Sequence, residues 1–263
     1  MNVAYFIYVG KYIEDDMFDI CIRSLRKQSD CKIVVYTTHL ENSELLEQRG
    51  AEIIYISDSQ WTNRKMTCKV ECAANLPNVL NLNEGDNILV FDADLIFLDD
   101  PFKVFETEFD FMYTTRHYYD TYKANGGVWG YKHNKVSSEF LNFYQYNLNN
   151  PAWLPYVEFR KNHQYNRDLK NLDWWVDQDW LCVINNYKDK INNDNLLQMP
   201  ITLYDAGPKY NWIIRNGSDE VIKEINAKEK MILHLKGGTF TRWTDASTKT
   251  SDPIYKKYIE LIT

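Results

Sequence analysis

The chain has 263 residues, of which 44% are hydrophobic and 25% are charged, and its net charge at pH 7 is −7. This length and composition are ordinary for a globular protein with one large α/β domain or two small ones. The negative charge argues against a general nucleic-acid-binding function, which needs a basic face to neutralise phosphates. A phosphate-carrying ligand would need a bound cation or a local basic cluster.

The cysteine content and the absence of targeting patterns predict a cytoplasmic protein. The five cysteines are odd in number and include no C-x-x-C pair, which is typical of thiols in a reducing compartment. The first residues show no basic region followed by a cleavage site, and no apolar run approaches the ~18 residues of a membrane span. We therefore expect no membrane-spanning segment.

In chain order, the first hundred residues alternate between strand and helix patterns. Strands are predicted over 3–9, 32–36, 51–56 and 87–98, and helices over 15–28, 41–49 and 64–75. This alternation indicates βαβ units around a parallel sheet, whose ligands bind at the carboxyl ends of the strands. Tyr8 and Gly10 end the first strand, and Asp92 and Asp94 interrupt the fourth. Both groups are expected at the same edge of the sheet.

After Pro101 the pattern changes to shorter and more varied elements. Strands are predicted over 109–115, 126–131 and 231–235, and helices over 135–148, 176–186 and from about 251 onward, with an irregular aromatic stretch over 151–175. No repeat or linker divides the chain. We therefore predict a single domain over 1–263, with a mostly parallel central sheet flanked by helices and a smaller mixed-strand second half.

The segment Asp92-Ala93-Asp94 is the strongest chemical signal in the sequence. Carboxylates in a strand of Ile, Leu, Val and Phe are costly to bury alone, and positions i and i+2 of a strand share a face. The two acids could therefore converge on a hard divalent cation, Mg²⁺ or Mn²⁺, which takes oxygen ligands and keeps positions open for diphosphate oxygens. Two acids at a strand end can also simply meet solvent, so the pattern alone is weakly specific.

A second candidate group lies near the end of the chain, in the segment from His234 to Gly238. A histidine at the end of an apolar strand can offer a neutral imidazole to a metal ion. The glycines after it allow backbone N–H groups to approach a phosphate, and Lys236 can add positive charge. A histidine in a strand is more often structural, and Gly-Gly is more often a turn.

Four motifs together resemble a known family. Asp92–Asp94, Asn125-Gly126-Gly127, Asp177-Gln178-Asp179, and His234 with Gly237 three positions later occur in the order seen in family 8 glycosyltransferases and related GT-A enzymes. The match spans about residues 3 to 240. The resemblance implies a Rossmann-like GT-A domain, with a nucleotide-binding half over 1–100 and a sugar and acceptor half over 101–263. It also implies transfer of a sugar, such as a hexose, from a nucleotide diphosphate, usually UDP, to a carbohydrate or other hydroxyl acceptor.

The resemblance assigns the metal and the donor to particular residues. Asp92, Asp94 and His234 would hold Mn²⁺ or Mg²⁺. Tyr8 and its neighbour Gly10 would contact the nucleobase, and Lys69 would reach the donor from the helix before the acidic strand. The remaining residues assigned to the donor are Asn125, Gly126 and Gly127 at the sugar, and Lys236 and Gly237 at the phosphates.

The same resemblance places Asp177, Gln178 and Asp179 in the catalytic region. Asp177 would bind sugar hydroxyls, and Gln178 would lie beside the anomeric carbon. Kinship to family 8 implies retention of configuration, with Gln178 not acting as a base. In an inverting relative, Asp177 or Asp179 could deprotonate the acceptor. The sequence departs from the family where Lys-Pro-Trp commonly follows the His-x-x-Gly motif, since residues 240–243 read Phe-Thr-Arg-Trp here.

The aromatic content of 15% is high, and much of it falls between residues 113 and 180. Aromatic faces pack against the C–H faces of sugar rings, so this region is a candidate acceptor site. Core packing will account for several of these rings. Tyr118, Tyr119 and Trp174 are the ones expected to face the surface.

Two other functions compete with sugar transfer. The segment FDADLIF also resembles the D-x-D loop of haloacid-dehalogenase-type phosphatases, with Asp92 as the nucleophile, although that loop usually lies near the N-terminus. A catalytically degenerate sugar-binding protein is the alternative that is not an enzyme. A sugar-nucleotide-forming nucleotidyltransferase would need a Gly-rich, basic loop, and residues 8–16 do not provide one.

Overall fold

The structure, a computed structural model, describes residues 1–8, 17–39, 43–117, 123–150, 152–164, 176–214, 223–224, 227 and 229–235. Several residues singled out in the sequence lie outside the described ones: Gly10, Tyr118, Tyr119, Trp174, Lys236 and Gly237, together with the helix predicted from about residue 251.

Helices and strands alternate along the first half, as predicted. The strands are β1 (Asn2–Tyr8), β2 (Lys32–Thr37), β3 (Ala51–Tyr55), β4 (Asn87–Phe91), β5 (Leu95–Phe97), β6 (Phe111–Thr115), β7 (Ala124–Lys132), β8 (Leu203–Asp205), β9 (Trp212–Ile214) and β10 (Ile232–Leu235). The helices are α1 (Met17–Gln28), α2 (Ser43–Gln48), α3 (Asp58–Leu80), α4 (Lys135–Asn149), α5 (Leu154–Gln164) and α6 (Val176–Asn193).

The strands form two sheets. The larger has the order β3-β2-β1-β4-β7-β6-β8, and the smaller has the order β5-β10-β9. In the larger sheet β7 runs antiparallel to both of its neighbours, and the other pairs are parallel. In the smaller sheet β10 is antiparallel to β5 and parallel to β9. The predicted α/β fold, mostly parallel with a smaller mixed part, is confirmed.

The larger sheet is buried on both faces. Along β1, Val3 and Tyr5 pack into one apolar cluster, whereas Ala4 and Phe6 pack into the other. The first cluster contains side chains of α3 to α6, and the second contains those of α1, α2 and the smaller sheet. Burial on both faces explains why these strands read as continuous apolar runs rather than as alternating ones.

The strand predicted over 87–98 is in fact two strands in different sheets. β4 pairs with β1 and β7, whereas β5 pairs with β10. Asp92 and Asp94 lie in the break between them, not on a continuous strand. The backbone N–H of Asp92 still donates to the carbonyl of Gly127 (2.8 Å), and the carbonyl of Asp94 accepts from the N–H of Leu235 (2.9 Å). The chain therefore crosses from one sheet to the other through the acidic segment.

Helix α3 is longer than the predicted 64–75, because it continues through Pro77. Proline has no N–H, so the carbonyl four residues earlier loses its helical partner. That carbonyl belongs to Ala73, and it accepts a hydrogen bond of 2.7 Å from the Tyr131 hydroxyl. A side chain of β7 thus replaces the missing backbone donor, which no local pattern could predict.

The second half contains more regular structure than predicted. Part of the stretch 151–175, expected to be irregular, is helix α5, whose Pro155 lies in the first turn where no N–H is needed. Helix α6 runs past the predicted end at 186, with a kink at Tyr187. Strands β8 and β9 have three residues each and were not predicted, because so short a run carries no periodicity.

Among the described helices, none is both long and apolar enough to cross a membrane. All five cysteines lie within the described residues, and no disulfide joins them.

Most described aromatic side chains of the 113–180 region belong to the core. Trp180 on α6 is fully buried and stacks on Tyr144 at a centroid distance of 5.2 Å. The rings of Phe143, Trp153 and Tyr156 contact it edge-on. These rings join α4, α5 and α6 into one packed layer, so they are not available to an acceptor.

Replacing Trp180 by Ala should lower the free energy of unfolding by about 3–5 kcal/mol, because the cavity left by the indole cannot close. Urea denaturation of the two proteins measures this difference. Tyr146→Ala on α4 serves as the control, because that ring is 56% exposed and its loss should cost no more than about 0.5 kcal/mol. Equal effects of the two substitutions would contradict the assigned core.

Candidate active site

The carboxyl ends of β1 and β4 lie at the same edge of the larger sheet, as expected for parallel neighbours. Phe6 of β1 pairs with Phe91 of β4, so Tyr8, two residues later, lies at the same edge as the acidic segment that follows β4. Tyr8 is 8% exposed, and its ring stacks on Phe18 at 4.5 Å. One face of this ring is therefore covered by α1, and its contact with a nucleobase stays a prediction.

Asp92, Asp94 and His234 come together at this edge. His234 lies on β10 opposite Leu95, which places its ring directly beside the acidic segment. Its Nε2 atom is 2.9 Å from Asp94 Oδ1 and 3.5 Å from Asp92 Oδ2. The imidazole is fully buried, whereas the two carboxylates are 20% and 27% exposed. The group therefore has a buried nitrogen at its base and two partly exposed carboxylates at its mouth.

The donor atoms of this group suit a hard divalent cation. One atom from each of the three side chains lies within 4.8 Å of the others. An octahedral ion with bonds of 2.0–2.1 Å places adjacent ligands about 3 Å apart, which matches the 2.9 and 3.5 Å separations. Two carboxylates and an imidazole leave coordination positions open for other oxygens.

Gly126 and Gly127 on β7 make room for the side chains around them. A Cβ on Gly127 would lie 2.3 Å from Cε1 and 2.7 Å from Nδ1 of His234. A Cβ on Gly126 would lie 2.6 Å from Oδ2 of Asp177. All three distances are far below van der Waals contact. The two glycines therefore allow the imidazole of β10 and the carboxylate of α6 to approach the strand backbone.

Lys69 extends from α3 into the same region. Its ammonium group donates to Asp92 Oδ1 at 2.7 Å and to the carbonyl of Gly126 at 2.9 Å, and the side chain is 1% exposed. A buried ammonium needs such partners, since an unpaired charge in the interior is costly. The predicted donor residue Lys69 thus lies beside a candidate metal ligand.

The first turn of α6 brings Asp177, Gln178 and Asp179, all at most 7% exposed, to this part of the molecule. Burial raises the pKa of Asp177 to about 6, with the Lys69 charge opposing this shift and the Asp92 charge adding to it. The N–H of Gln178 donates to Asp177 Oδ1 at 2.7 Å. Asp177 is therefore near Gly126 and Lys69.

Arg116, at the end of β6, was not predicted as a site residue. Its guanidinium donates to Oε1 of Gln178 at 2.7 Å. Because a guanidinium can only donate, this contact fixes which end of the Gln178 amide is the oxygen. The amide nitrogen of Gln178 is buried and has no protein partner within the described part of the chain.

Comparison of the sequence with known proteins found no match, whereas comparison of the structure did. No known family model matches the sequence, and no curated protein matches it significantly. Structurally, the chain is similar to glycosyltransferase GlyE of Streptococcus pneumoniae TIGR4, with a TM-score of 0.55 and 16% identity. The match covers 100% of this chain and 61% of GlyE.

Two further glycosyltransferases match over nearly their whole length. Galactosyltransferase LgtC, solved with donor and acceptor sugar analogs, has a TM-score of 0.55 at 9% identity, covering 100% of this chain and 95% of LgtC. Mouse xyloside xylosyltransferase 1 has a TM-score of 0.53 at 9% identity, covering 91% and 99%. The protein has the GT-A glycosyltransferase fold. The resemblance that the four motifs indicated is thus confirmed at the level of the fold.

Adding a methyl group at Gly127 should abolish divalent-cation binding, because the His234 ring cannot keep its place beside the two carboxylates. Titration of Gly127→Ala with Mn²⁺, followed by the electron paramagnetic resonance signal of the free ion, measures this loss. Gly85→Ala is the matched control: its positive φ of 92° strains the backbone, but the new methyl meets nothing within 4 Å. Mn²⁺ affinity that survives Gly127→Ala would contradict the site.

Proposed function

We propose that this protein is a metal-dependent glycosyltransferase that moves a sugar from a nucleotide diphosphate to a hydroxyl acceptor. UDP is the nucleotide that we expect in the donor. The observation that carries the proposal is the convergence of Asp92, Asp94 and His234 at the carboxyl edge of a GT-A sheet. The glycosyltransferases with a similar fold support it. The half of the chain that contains β1 to β4 would bind the nucleotide.

The three side chains would hold Mn²⁺ or Mg²⁺, and the bound ion would neutralise the diphosphate as the bond to the sugar breaks. Lys69, paired with Asp92, would place a second positive charge near the same phosphates. Asp177 would accept hydrogen bonds from sugar hydroxyls at the Gly126 backbone. The protein's own residues thus orient the donor and balance its charge.

We infer a retaining reaction in which Gln178 is not a base, and its contact with Arg116 determines which end of the amide could face the sugar. The amide oxygen of Gln178 accepts from the guanidinium, so the amide nitrogen is the end that could face the sugar. An amide nitrogen donates hydrogen bonds and does not take a proton. Gln178 would therefore hold a sugar or acceptor oxygen in place rather than deprotonate it.

The phosphatase alternative has less support than sugar transfer. Asp92 Oδ1 accepts from Lys69, and Oδ2 faces the imidazole of His234, so both oxygens are already directed at cationic or metal-binding groups. The carboxylate also follows the fourth strand of the chain, whereas a phosphatase of that type carries its nucleophile near the N-terminus. Asp92→Asn with hydrolysis of p-nitrophenyl phosphate as the readout separates the two functions.

UDP should raise the melting temperature only when Mn²⁺ is present, because a ligand that binds the folded state stabilises it by mass action. Asp94→Asn should remove this joint effect, together with slow donor hydrolysis in a screen of UDP- and GDP-sugars. Asp99→Asn is the control, since that carboxylate is 42% exposed and forms a surface ion pair with Lys103 at 2.8 Å. If UDP, GDP and Mn²⁺ all leave the wild-type melting temperature unchanged, the proposed function is wrong.

Lys69→Met should separate donor binding from metal binding. Methionine fills similar volume but carries no charge, so the affinity for UDP should fall about tenfold or more while the affinity for Mn²⁺ is unchanged or higher. The reason is electrostatic, because removing an ammonium beside Asp92 leaves more negative charge at the cation and less positive charge at the diphosphate. Calorimetric titration with Mn²⁺ alone, and then with UDP, gives both values. A parallel loss of both affinities would contradict the assigned role.

A further inference from the structure

A buried network of hydrogen-bonded polar side chains lies behind His234, on the side away from the two carboxylates. It contains Asn125, Asn211 and Thr114, each at most 3% exposed, and His234 itself is fully buried. Asn211 lies just before β9, where its own N–H donates to the carbonyl of Pro208 (3.1 Å). No sequence pattern had marked Asn211, and the proposed reaction does not use it.

The backbone N–H of Gly127 fixes the direction of the hydrogen bonds in this network. The backbone N–H of Gly127 can only donate, so the Asn125 atom 2.7 Å from it is the amide oxygen. The Asn211 atom that lies 3.1 Å from that same oxygen must therefore be a donor, the amide nitrogen Nδ2.

Thr114 supports the same orientation of the Asn211 amide. Its hydroxyl donates to the carbonyl of Val128 at 2.8 Å, so its oxygen is left to accept. Asn211 Nδ2 is the group that donates to it, also at 2.8 Å. The Thr114 hydroxyl and the Asn125 amide oxygen thus both accept from Asn211 Nδ2, and Asn211 Oδ1 is directed toward His234.

The Asn211 oxygen then determines the state of the histidine ring. Oδ1 of Asn211 lies 2.7 Å from Nδ1 of His234, and an amide oxygen can only accept. Nδ1 of His234 therefore carries a hydrogen, and in a neutral imidazole the lone pair is then on Nε2. Nε2 is the atom that faces Asp94 at 2.9 Å and Asp92 at 3.5 Å.

We propose that Asn211 is a positioning residue that holds His234 in the Nδ1–H tautomer, so that Nε2 is presented to the divalent cation. This inference rests on the metal site of the proposed function. The Asn125 oxygen accepts hydrogen bonds from Asn211 Nδ2 and from the backbone N–H of Gly127, so both of its lone pairs are occupied. Asn125 is therefore left with its N–H₂ group for the donor sugar, and it would act there as a donor of hydrogen bonds only.

Metal affinity is the first readout. Asn211→Ala should weaken Mn²⁺ binding about 10- to 100-fold, since partners that orient a ligating histidine contribute on that scale. Asn147→Ala is the matched control: that amide is 1% exposed and holds the backbone of Phe143, Ala152 and Trp153, remote in sequence from the metal ligands. It should lower the melting temperature and leave Mn²⁺ affinity within about twofold.

The isosteric change Thr114→Val keeps the test decisive if Asn211→Ala fails to fold. It removes one of the two acceptors that orient the Asn211 amide, so Mn²⁺ affinity should fall severalfold, and Thr114→Ser should restore it. Binding of Mn²⁺ to the full chain is again followed by electron paramagnetic resonance. Wild-type affinity in both Asn211→Ala and Thr114→Val would overturn the inference.

The tautomer is the second readout, and a merely structural role would not set it. The ¹⁵N spectrum of the Mg²⁺-loaded, histidine-labelled protein should show His234 protonated at Nδ1, assigned by the signals missing in His234→Gln. Protonation at Nε2 would overturn the inference. If the wild-type chain binds Mn²⁺ and the variants bind it equally tightly, only the role proposed for Asn211 is wrong. If the wild-type chain binds no Mn²⁺, the proposed function is wrong as well.

Discussion

The close approach of the His234 ring to the backbone of Gly127 is the constraint on which the site depends. The two residues belong to different sheets, and a side chain on residue 127 would occupy the space of the imidazole. Because the ring is packed against a strand, it has one orientation, with Nδ1 toward Asn211 and Nε2 toward the carboxylates. The geometry of the acidic group is thus set by backbone packing, not by the acids themselves.

The break after β4 has a structural and a chemical consequence. If the chain continued as one strand through residue 97, Asp92 and Asp94 would point to the same face of a buried sheet. The chain instead leaves the larger sheet at Asp92 and enters the smaller one at Leu95. The carboxylates therefore lie at the junction of two sheets, where β10 can bring a histidine to them and where they keep contact with solvent.

The sequence predicted the parts of this protein that rest on local patterns. Continuous apolar runs located β1, β2, β3 and β4, and the short helix predicted over 41–49 is α2, followed by Gly50 with a φ of 75°. The convergence of the acids with His234 was also predictable, through a resemblance and not through spacing. The break at residue 92 was not, because whether an apolar run crosses from one sheet to another depends on distant strands.

Asn211, Arg116 and Tyr131 escaped prediction for the same physical reason. Each acts through hydrogen bonds to residues at least 23 positions away in the sequence, and no local periodicity marks such partners. Gly126 and Gly127 were expected to line a sugar site, but the reason for glycine there is space for Asp177 and His234. That reason becomes visible only once β7, β10 and α6 are in place.

The charge balance of the site explains how a protein with a net charge of −7 could bind an anionic donor. Asp92, Asp94 and Asp177 together would repel a diphosphate, and among the described residues the ammonium of Lys69 is paired with only one of them. A divalent cation held by these carboxylates would cancel the remaining negative charge there and give the diphosphate oxygens a positive ion to contact. The net negative charge disfavours polyanions such as nucleic acids, whereas a small diphosphate that brings its own cation could still bind. Metal and nucleotide binding are therefore expected to be mutually dependent, since each supplies the charge that the other needs.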